Sequence, residues 1–455
     1  MRITNPATGE TLADVPEADA GAIAAAVRRA RGARPRWAAT PLAGRSAAVR
    51  RFRALVVERT EALARTLTLE VGKPIAQARR ELAGVLGRID FFLEHVGPAL
   101  ADEVVLADGT MEERITHEPL GVVALVSAWN YPWFVGSNVF IPALLTGNAV
   151  LYKPSELATL TGLAITGLLH EAGVPDDVFQ AVVGGGAVGA ALLEETVDAV
   201  CFTGSLATGR KVAAAVAPRL VKLQLELGGK DPAYVCEDVD PAAAAAAVAE
   251  GAFYNTGQSC CAVERVYVHQ RIAAPFADAF ADIVKRYVVG DPLDERTDVG
   301  PLTRRDAALS LLEEQVADAT ARGARILTGG ARLPRPGWFF APTVLVDVDD
   351  GMRVMREETF GPLVGIAAVA SDDEAVERMN DTAYGLTAAV YTRDRGRAER
   401  VLARVDVGTA YWNCCDRVSP ALPWTGRRGS GLGVTLSRRG IETFLRPRAW
   451  HLRRA

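Results

Sequence analysis

This chain lacks the features of a nucleic-acid-binding or membrane-spanning protein. Its 455 residues contain 51 Lys and Arg against 55 Asp and Glu, which gives a formal net charge of −4. No basic stripe stands out, so a nucleic-acid partner has no electrostatic support. The apolar stretch from Gly121 to Ser127 is far too short to span a bilayer. We therefore expect neither a nucleic-acid partner nor a membrane partner.

Cysteine and histidine are also scarce, with six and five residues respectively. The cysteines lack zinc-site spacing and no histidine lies near them at ligand spacing, so we expect no metal site. No basic segment followed by an apolar one begins at Met1, which makes a reduced, cytoplasmic location the expectation. Cys201 and Cys236 lie in apolar, strand-like runs and should pack as small core side chains. The six are Cys201, Cys236, Cys260, Cys261, Cys414 and Cys415.

The length and the pattern of apolar residues indicate an α/β protein of two or three domains. A chain of 455 residues exceeds one ordinary core. Helical periodicity extends from about Asp19 to Leu100, and from Val122 onward short β-branched runs alternate with helical segments. This alternation predicts right-handed βαβ units and a parallel sheet. The predicted strands are Val122–Val126, Ala149–Tyr152, Ala181–Val183, Ala199–Phe202, Arg265–His269, Val344–Val346, Val364–Ala368 and Ala388–Tyr391.

A cysteine and a glutamate carry the strongest chemical signal. Cys260 lies in the sequence Gly-Gln-Ser-Cys-Cys at 257–261, and Glu226 begins the sequence Glu-Leu-Gly-Gly-Lys at 226–230. A thiolate is a strong nucleophile, and a carboxylate with a raised pKa can activate water. This pair suits the oxidation of a carbonyl through a covalent thioester. For either residue alone the alternatives are an inert buried cysteine and a solvated glutamate, and Cys261 is the rival nucleophile.

These two motifs resemble the catalytic signatures of the aldehyde dehydrogenase superfamily, and the resemblance extends from residues 5–10 to residues 444–447. The spacing of the family selects Cys260 over Cys261 as the nucleophile. The resemblance makes Glu226 the general base that hydrolyses the thioester. Relatives that transfer the acyl group to coenzyme A generally lack this glutamate, so water is the implied acyl acceptor.

The resemblance also assigns roles to the loop after the Val122–Val126 strand, which reads Ala-Trp-Asn-Tyr-Pro-Trp at 128–133. Asn130 would hold the oxyanion together with the backbone N–H of Cys260. Trp129, beside it, would contact the cofactor. From the residues alone, the alternative is a turn asparagine ahead of a proline-containing loop.

Two glycine-rich turns are candidates for binding the phosphates of a dinucleotide. The sequence Gly-Gly-Gly-Ala-Val-Gly at 184–189, which includes Gly186, is a literal G-x-G-x-x-G, a weak signal by itself. The sequence Phe-Thr-Gly-Ser at 202–205 also follows a strand and starts a helix, where N–H groups favour a phosphate. The resemblance implies that Gly204 and Ser205 meet the pyrophosphate and that the first turn lies near the adenosine half.

Two further pairs are implied in binding the cofactor. Lys153 and Glu156 follow a predicted strand, where a carboxylate accepts hydrogen bonds from ribose hydroxyls and repels a 2′-phosphate. Glu358 and Phe360, in Glu-Glu-Thr-Phe-Gly-Pro at 357–362, match a family motif that implies contact with the nicotinamide ribose and ring. The alternatives are an exposed Lys–Glu pair at a helix start and a core phenylalanine. The implied cofactor is NAD, with NADP as the weaker alternative.

The family implies an α/β fold in three parts and a homodimer or homotetramer that acts on a small-molecule aldehyde. The third part agrees with a predicted hairpin at 103–116 around Asp108-Gly109, a favoured turn sequence. The implied parts are a Rossmann-like dinucleotide-binding domain (1–100 and 119–227), an α/β catalytic domain (228–425) and a small β oligomerisation element (101–118 and 426–455).

The class of aldehyde is indicated less directly. Many relatives have a positive charge shortly after the asparagine loop, but residues 137–142, Ser-Asn-Val-Phe-Ile-Pro, have none. With Trp133 and Phe134 nearby, an apolar or neutral funnel is expected, which would suit medium aliphatic or aromatic aldehydes. Arg417 could instead meet an acidic substrate, although a solvated position is favoured for it.

Two other functions compete with aldehyde oxidation to the acid. One is a coenzyme A-acylating dehydrogenase, against which Glu226 argues. The other is a non-catalytic structural or binding member of the fold. A structural role has no need for Cys260, Glu226 and Asn130 together, so their joint presence argues against it.

Overall fold

Two sheets of mainly parallel strands, each covered by helices, form the frame of the protein. The structure is a computed structural model that describes residues 1–454. A third, small sheet is antiparallel, and the first residues of the chain form a two-stranded ribbon. The predicted α/β architecture is therefore confirmed.

The strands are β1 (Arg2–Thr4), β2 (Thr11–Asp14), β3 (Glu103–Ala107), β4 (Met111–Pro119), β5 (Val122–Val126), β6 (Ala149–Lys153), β7 (Phe179–Ala181), β8 (Ala199–Thr203), β9 (Lys222–Glu226), β10 (Asp231–Val235), β11 (Val263–His269), β12 (Arg325–Thr328), β13 (Thr343–Val346), β14 (Leu363–Val369), β15 (Thr387–Tyr391), β16 (Thr409–Trp412), β17 (Gly431–Leu432) and β18 (Leu445–Arg453). The helices are α1 (Ala20–Ala39), α2 (Leu42–Glu58), α3 (Thr60–Val71), α4 (Ile75–Leu100), α5 (Pro132–Leu145), α6 (Thr159–Glu171), α7 (Gly186–Glu194), α8 (Leu206–Val216), α9 (Pro241–Phe253), α10 (Ala273–Val284), α11 (Asp306–Ala321), α12 (Arg353–Arg356), α13 (Asp372–Asn380), α14 (Arg395–Leu402) and α15 (Ser437–Glu442).

The first sheet has the order β17-β9-β8-β5-β6-β7. Its strands are parallel except β17, which pairs with β9 in the antiparallel sense. The chain enters at β5, builds outward through β6 and β7, and returns on the other side of β5 with β8 and β9. This reversal creates a switch point between β5 and β8, and ligands of such sheets bind there, at the carboxyl ends of the strands.

The sequence of β5 explains why helices cover both faces of this sheet. Val123 and Leu125 pack into the apolar cluster on one face, whereas Val122 and Ala124 pack into the cluster on the other. Successive side chains of a strand point to opposite faces, so a continuous apolar run needs cover on both. Helices α4, α5 and α6 supply one cover, and helices α1, α7 and α8 supply the other.

The second sheet has the order β12-β13-β14-β11-β10-β15-β16 and is parallel apart from its edge strand β12. The strands predicted for this half of the chain are confirmed, because each lies within β11, β13, β14 or β15. Helices α9 and α10 cover one face, and α11 to α14 cover the other. The short connection from β9 to β10 joins the two sheets and carries the Glu-Leu-Gly-Gly-Lys motif.

The predicted hairpin at 103–116 is confirmed as β3 and β4. In its turn, Asp108 Oδ1 accepts hydrogen bonds from the backbone N–H groups of Thr110 and Met111, at 2.7 and 2.8 Å. β18 pairs along the whole of β4 and completes the small sheet. Gly431–Leu432, by contrast, belongs to the first sheet. The division of the chain into three domains stays a prediction.

One strand differs from its predicted position, since β7 spans Phe179–Ala181 instead of Ala181–Val183. Gln180 interrupts the apolar run, yet its side chain is buried. Its Nε2 donates to the carbonyl oxygen of Ala26 at 2.9 Å, and its Oε1 accepts from Arg29 Nη2 at 2.6 Å. A polar side chain whose hydrogen bonds are satisfied can be buried. Hydropathy alone therefore placed the predicted strand too far along the chain.

The chain shows the expected state of its cysteines. All six are free, and Cys201 and Cys236 are buried as predicted.

Within residues 1–454, no set of three or more His, Cys, Asp or Glu side chains is arranged to hold a metal ion. In the same residues, every helix is too short or too polar to cross a membrane.

Candidate active site

The loop that carries Cys260 is fixed by its backbone. After α9, the three residues 255–257 all have positive φ. A side chain at Gly257 would force a displacement, because a Cβ there would lie 2.3 Å from the carbonyl oxygen of Gly361. Residues 258–259 are buried, and Cys260 follows half-buried in the wall of a cavity.

Cys260 and Glu226 line the same cavity, which has a volume of about 670 Å³. Glu226 ends β9 of the first sheet, whereas Cys260 follows α9, which covers the second sheet. A thiol and a carboxyl group from different sheets therefore face one space. The aromatic lining residues are Tyr131, Phe134, Tyr254, Tyr391 and Trp424, and the charged ones are Arg80, Arg88, Glu226, Glu250, Asp416 and Arg417.

Glu226 is buried and receives two side-chain hydrogen bonds. Thr435 Oγ1 and Gln224 Nε2 both donate to its Oε1, the second at 3.3 Å. Burial raises the pKa of Glu226, while Thr435 and the charge of Arg88 oppose the shift. A carboxylate with a raised pKa is a stronger base. Thr435 could not be predicted from the motif, because it lies 209 residues further along the chain.

The neighbouring Cys261 occupies a different environment. Its side chain is buried, and its Sγ donates to Asp416 Oδ1 at 2.9 Å. A hydrogen bond with Cys260, together with burial and the charge of Asp416, raises the pKa of the Cys261 thiol well above its usual value. Because the thiolate is the reactive form, this environment disfavours Cys261 as a nucleophile. Desolvation also raises the pKa of Asp416, to about 6.

Asn130 is tied to the cysteine loop. Its Nδ2 donates to the carbonyl oxygen of Gln258 at 3.1 Å, and its own carbonyl oxygen accepts from Asn255 Nδ2 at 3.1 Å. Gln258 precedes Cys260 by two residues, so Asn130 lies beside the loop that carries the thiol. An amide nitrogen carries two hydrogens, which leaves one N–H of Asn130 for another acceptor.

A buried ion pair that was not predicted from the sequence supports the same region. Lys73 Nζ bonds to Glu81 Oε2 and lies 3.9 Å from the centre of the Tyr131 ring. Glu81 Oε1 also accepts the backbone N–H of Trp133 at 3.0 Å. Both side chains of the pair are buried, so it fixes the start of α5 and the loop before it. The only local signal for this pair is a lysine in the Gly-Lys-Pro break between α3 and α4. A lysine buried this deeply needs a partner, because an unpaired buried charge is costly, and Glu81 supplies that partner.

The residues predicted to bind the cofactor phosphates lie at the carboxyl ends of neighbouring strands. Trp129 follows β5, Lys153 ends β6 and Gly204 follows β8, so they border the switch point. Ser205 caps α8, and its Oγ accepts a backbone N–H of the first turn at 3.3 Å. Gly186 begins α7, where a Cβ would have no heavy atom within 4 Å.

Lys153 and Glu156 form a polar pair at the end of β6. Lys153 Nζ donates to the carbonyl oxygen of Pro154 at 3.0 Å and lies 3.7 Å from Glu156 Oε2. Lys153 is buried and burial lowers its pKa, whereas the Glu156 side chain is exposed. The pair offers a donor and an acceptor side by side, which suits the vicinal hydroxyls of a ribose.

Glu358 and Phe360 connect the cofactor residues with the catalytic motif. Glu358 Oε1 accepts the backbone N–H of Gly229 at 3.1 Å, and a Cβ at Gly228 would lie 2.1 Å from the same oxygen. The rings of Phe360 and Trp129 meet edge to face with centres 5.4 Å apart. Desolvation raises the pKa of Glu358 to about 8. Gly228 therefore makes room for this carboxyl group, and Gly229 supplies it with a backbone donor.

These residues fit an extended dinucleotide at the switch point. The N-termini of α7 and α8 have backbone N–H groups that suit phosphates, and the space beside Gly186 is open. The Lys153–Glu156 pair and Glu358 offer polar groups to ribose hydroxyls. The individual assignments stay predictions.

Phe134 lines the cavity, in agreement with the expected apolar or neutral funnel, but the cavity is not purely apolar. Trp133 is fully buried and does not line the cavity, whereas several charged side chains do. Residues 137–142 have no cation of their own, but Arg88 of α4 reaches them. Its Nη1 donates to Asn138 Oδ1 at 2.7 Å. It was missed because it lies 50 residues earlier in the chain. Arg417 is 67% exposed and pairs with a glutamate at 3.8 Å, in agreement with the solvated position expected for it.

Comparison with known proteins gives consistent matches over nearly the whole chain. The profile described as the aldehyde dehydrogenase family matches residues 1–450. The peroxisomal aminoaldehyde dehydrogenase 2 of Malus domestica is 36% identical and covers 97% of this chain, which spans 90% of that protein.

Two solved structures show the same fold. An NADP-dependent enzyme of E. coli superimposes with a TM-score of 0.96 at 34% identity, over 99% of this chain and 94% of that chain. A betaine aldehyde dehydrogenase of Staphylococcus aureus in complex with NAD+ superimposes with a TM-score of 0.96 at 32% identity, over 100% of this chain and 92% of that chain.

Proposed function

This chain belongs to the aldehyde dehydrogenase family, and we propose that it oxidises an aldehyde to a carboxylic acid with NAD, through a thioester on Cys260. The observation that carries the proposal is the cavity shared by Cys260 and Glu226. The reaction needs a nucleophile and a base that act in turn on the same carbonyl carbon, and these two groups face one space.

Cys260 Sγ attacks the carbonyl carbon and forms a tetrahedral thiohemiacetal. The negative charge that develops on the substrate oxygen is held by the free N–H of Asn130 and the backbone N–H of Cys260. When bound, NAD supplies the acceptor for the hydride that leaves this carbon. The acyl group then remains on Cys260 as a thioester.

Glu226 completes the turnover. It takes a proton from a water molecule, which attacks the thioester carbon and releases the carboxylic acid and the thiol of Cys260. Thr435 and Gln224 both bond to Oε1 of Glu226, which leaves Oε2 for the water. The raised pKa of Glu226 supports this role, because it increases the affinity of the carboxylate for the proton of the water.

The choice of NAD over NADP rests on Glu156. Of the two solved relatives, one is described with NAD+ and the other as NADP-dependent, so the family alone does not decide. A 2′-phosphate beside the Lys153–Glu156 pair would meet a carboxylate at close range, which disfavours NADP. The residues proposed to bind NAD are Trp129, Lys153, Glu156, Gly186, Gly204, Ser205, Glu358 and Phe360.

We further propose the three predicted domains and a homodimer or homotetramer. Val104 and Val105 of β3 are both 63% exposed, and apolar side chains on an edge strand suit a contact between subunits. Six free cysteines suit a reducing compartment, which supports a cytoplasmic location, although the Malus domestica relative is named peroxisomal.

An assay of NADH formation tests the function. The enzyme is supplied with NAD and a panel of neutral, cationic and anionic aldehydes, with and without coenzyme A. We expect NADH without coenzyme A and a carboxylic acid as the product. A requirement for coenzyme A would favour the acylating alternative, and no NADH with any aldehyde would favour a non-catalytic protein.

The names of the relatives make aminoaldehydes and betaine aldehyde the first cationic members of that panel. The buried guanidinium of Arg88 in the cavity argues against a cation at that position, because like charges repel strongly where water is scarce. The panel therefore includes an anionic aldehyde of matched length.

A further inference from the structure

Arg88 lies in the wall of the active-site cavity with most of its hydrogen-bonding capacity unused. Its Nη1 donates to Asn138 Oδ1 at 2.7 Å and to the carbonyl oxygen of Phe134 at 3.3 Å. Within residues 1–454, its Nε and Nη2 make no hydrogen bond and its guanidinium forms no ion pair. Arg88 is only 5% exposed, so the cavity is the space that these groups face.

Two other buried arginines show the pattern of a structural role. Arg265 donates from Nε, Nη1 and Nη2, to three main-chain carbonyl oxygens and to the Tyr267 hydroxyl. Arg45 donates from Nε and Nη1 to three carbonyl oxygens. Buried polar groups are normally hydrogen-bonded, so the unused donors of Arg88 are available to a ligand.

Helix α4 leaves room beside this guanidinium. A Cβ at Gly84, one turn earlier, would lie 2.6 Å from the ring of Phe134, and Arg88 stacks 3.9 Å from the centre of that ring. Gly87 also lines the cavity, and a Cβ there would have no heavy atom within 4 Å. Gly84 therefore makes room for the Phe134 ring and Gly87 leaves open space, each at a cost in helix stability because glycine weakens a helix interior.

We propose that Arg88 is a specificity residue that binds the carboxylate at the far end of a short semialdehyde. The inference rests on the proposed function, because Cys260 must take the aldehyde end of the same molecule. Nε–H and Nη2–H of an arginine point in the same direction and match the two oxygens of a carboxylate. These are the two donor groups that Arg88 leaves unused.

The other charges in the cavity leave this role to Arg88. Arg80 and Arg417 also line it, but both are exposed to solvent, where an ion pair contributes little. Asp416 is engaged by Cys261, and Glu250 pairs with Arg417. Burial lowers the pKa of Arg88 to about 10, against the opposing charges of two nearby glutamates, so the guanidinium stays charged at neutral pH.

Three four-carbon aldehydes test the inference: succinate semialdehyde, butanal and 4-aminobutanal. The wild type should have its highest kcat/KM for succinate semialdehyde. Arg88→Met should lower kcat/KM for succinate semialdehyde about 10- to 100-fold relative to kcat/KM for butanal, as expected for a lost bond between charged groups. The charge of Arg88 also acts on Glu226, and that effect is common to both substrates, so it cancels in the ratio. Arg88→Lys should recover part of the loss, since it keeps the charge without the paired donors. Arg417→Met should leave the ratio of kcat/KM for succinate semialdehyde to kcat/KM for butanal unchanged.

The outcomes separate this inference from the proposed function. Oxidation of butanal by the wild type supports the function by itself. A wild type that prefers butanal or 4-aminobutanal, or an Arg88→Met enzyme that loses both activities equally, overturns the role of Arg88 alone. Loss of the semialdehyde preference in Arg417→Met, with the preference kept in Arg88→Met, also overturns it.

A second readout needs neither cofactor nor turnover. Iodoacetate and iodoacetamide alkylate the same thiolate and differ mainly in charge. The rate of alkylation of Cys260, followed by mass spectrometry, should favour iodoacetate more strongly in the wild type than in Arg88→Met. The ratio of the two rates cancels any change in the thiol itself, so equal ratios in the two proteins would refute an anion site at Arg88.

Discussion

Burial raises the pKa of Glu226 and the Thr435 hydroxyl opposes that shift, so replacing Thr435 with valine should move the pH at which the enzyme becomes active. The Thr435 hydroxyl donates to Glu226 Oε1 and makes no other hydrogen bond. Thr435 is fully buried, and valine has nearly the same shape. The change Thr435→Val therefore removes one donor from the carboxylate while it preserves the packing.

The size of the shift follows from the strength of that bond. A hydrogen bond to a charged group contributes about 1.5–3 kcal/mol, so the ionised carboxylate loses stabilisation of that order in Thr435→Val. The pKa of Glu226 should therefore rise further above its usual value. A base acts only when ionised, so activity is lost as the pH falls through this pKa. In Thr435→Val the loss should begin at a correspondingly higher pH, and the rate at alkaline pH should remain.

The assay is the pH dependence of kcat for NADH formation under conditions in which hydrolysis of the thioester limits turnover. Thr425→Val is the matched control, because the Thr425 hydroxyl donates to the carbonyl oxygen of Gly433 at 2.7 Å and not to Glu226. This control should keep the wild-type profile. An unchanged profile in Thr435→Val, with an unchanged melting temperature, would refute the claim that this hydroxyl stabilises the ionised base.

Three further substitutions test the remaining assignments. Cys260→Ala should abolish NADH formation while calorimetry still detects NAD binding, and Cys261→Ala should keep substantial turnover; the reverse pattern would make Cys261 the nucleophile. Glu226→Gln should slow steady-state turnover by about 10²- to 10⁴-fold and leave a stopped-flow burst of NADH, although the burst shrinks if Glu226 also activates the thiol. Full turnover in this variant would exclude an essential base. Glu156→Ser should narrow the ratio of kcat/KM for NAD over NADP, and an NADP preference in the wild type would contradict the role of Glu156.

Hydropathy located most of the strands that are rich in apolar residues and missed several that polar residues or proline interrupt. β5 has the predicted bounds, because every residue of Val122–Val126 is apolar. β9 and β10 were not predicted, since β9 begins with Lys222 and contains Gln224, and β10 contains Pro232. A proline is tolerated there because the pairing register shifts at that point of the strand. Such polar and proline residues are accommodated by contacts that no local pattern records.

The catalytic motifs could be recognised because each is contiguous in the sequence, but the groups that tune them could not. The donor to Glu226 comes from Thr435, and the acceptor for Cys261 comes from Asp416, 155 residues away. Both contacts depend on how the last part of the chain packs against the first sheet and the cysteine loop. A pKa is set by burial and by neighbours in space, so it follows from the fold and not from the motif.

Substrate preference is the property furthest from any single motif, and Arg88 illustrates the reason. Residues 137–142, which follow the asparagine loop, contain no cation. The structure brings a guanidinium to Asn138 from α4, across the packing of α4 against α5. A cavity wall is assembled from several elements, so the charge that a substrate meets is the sum of their contributions. Attack on a carbonyl needs one thiol at one position, whereas binding the far end of the substrate depends on which helix can reach it, and here α4 brings Arg88 into the cavity wall.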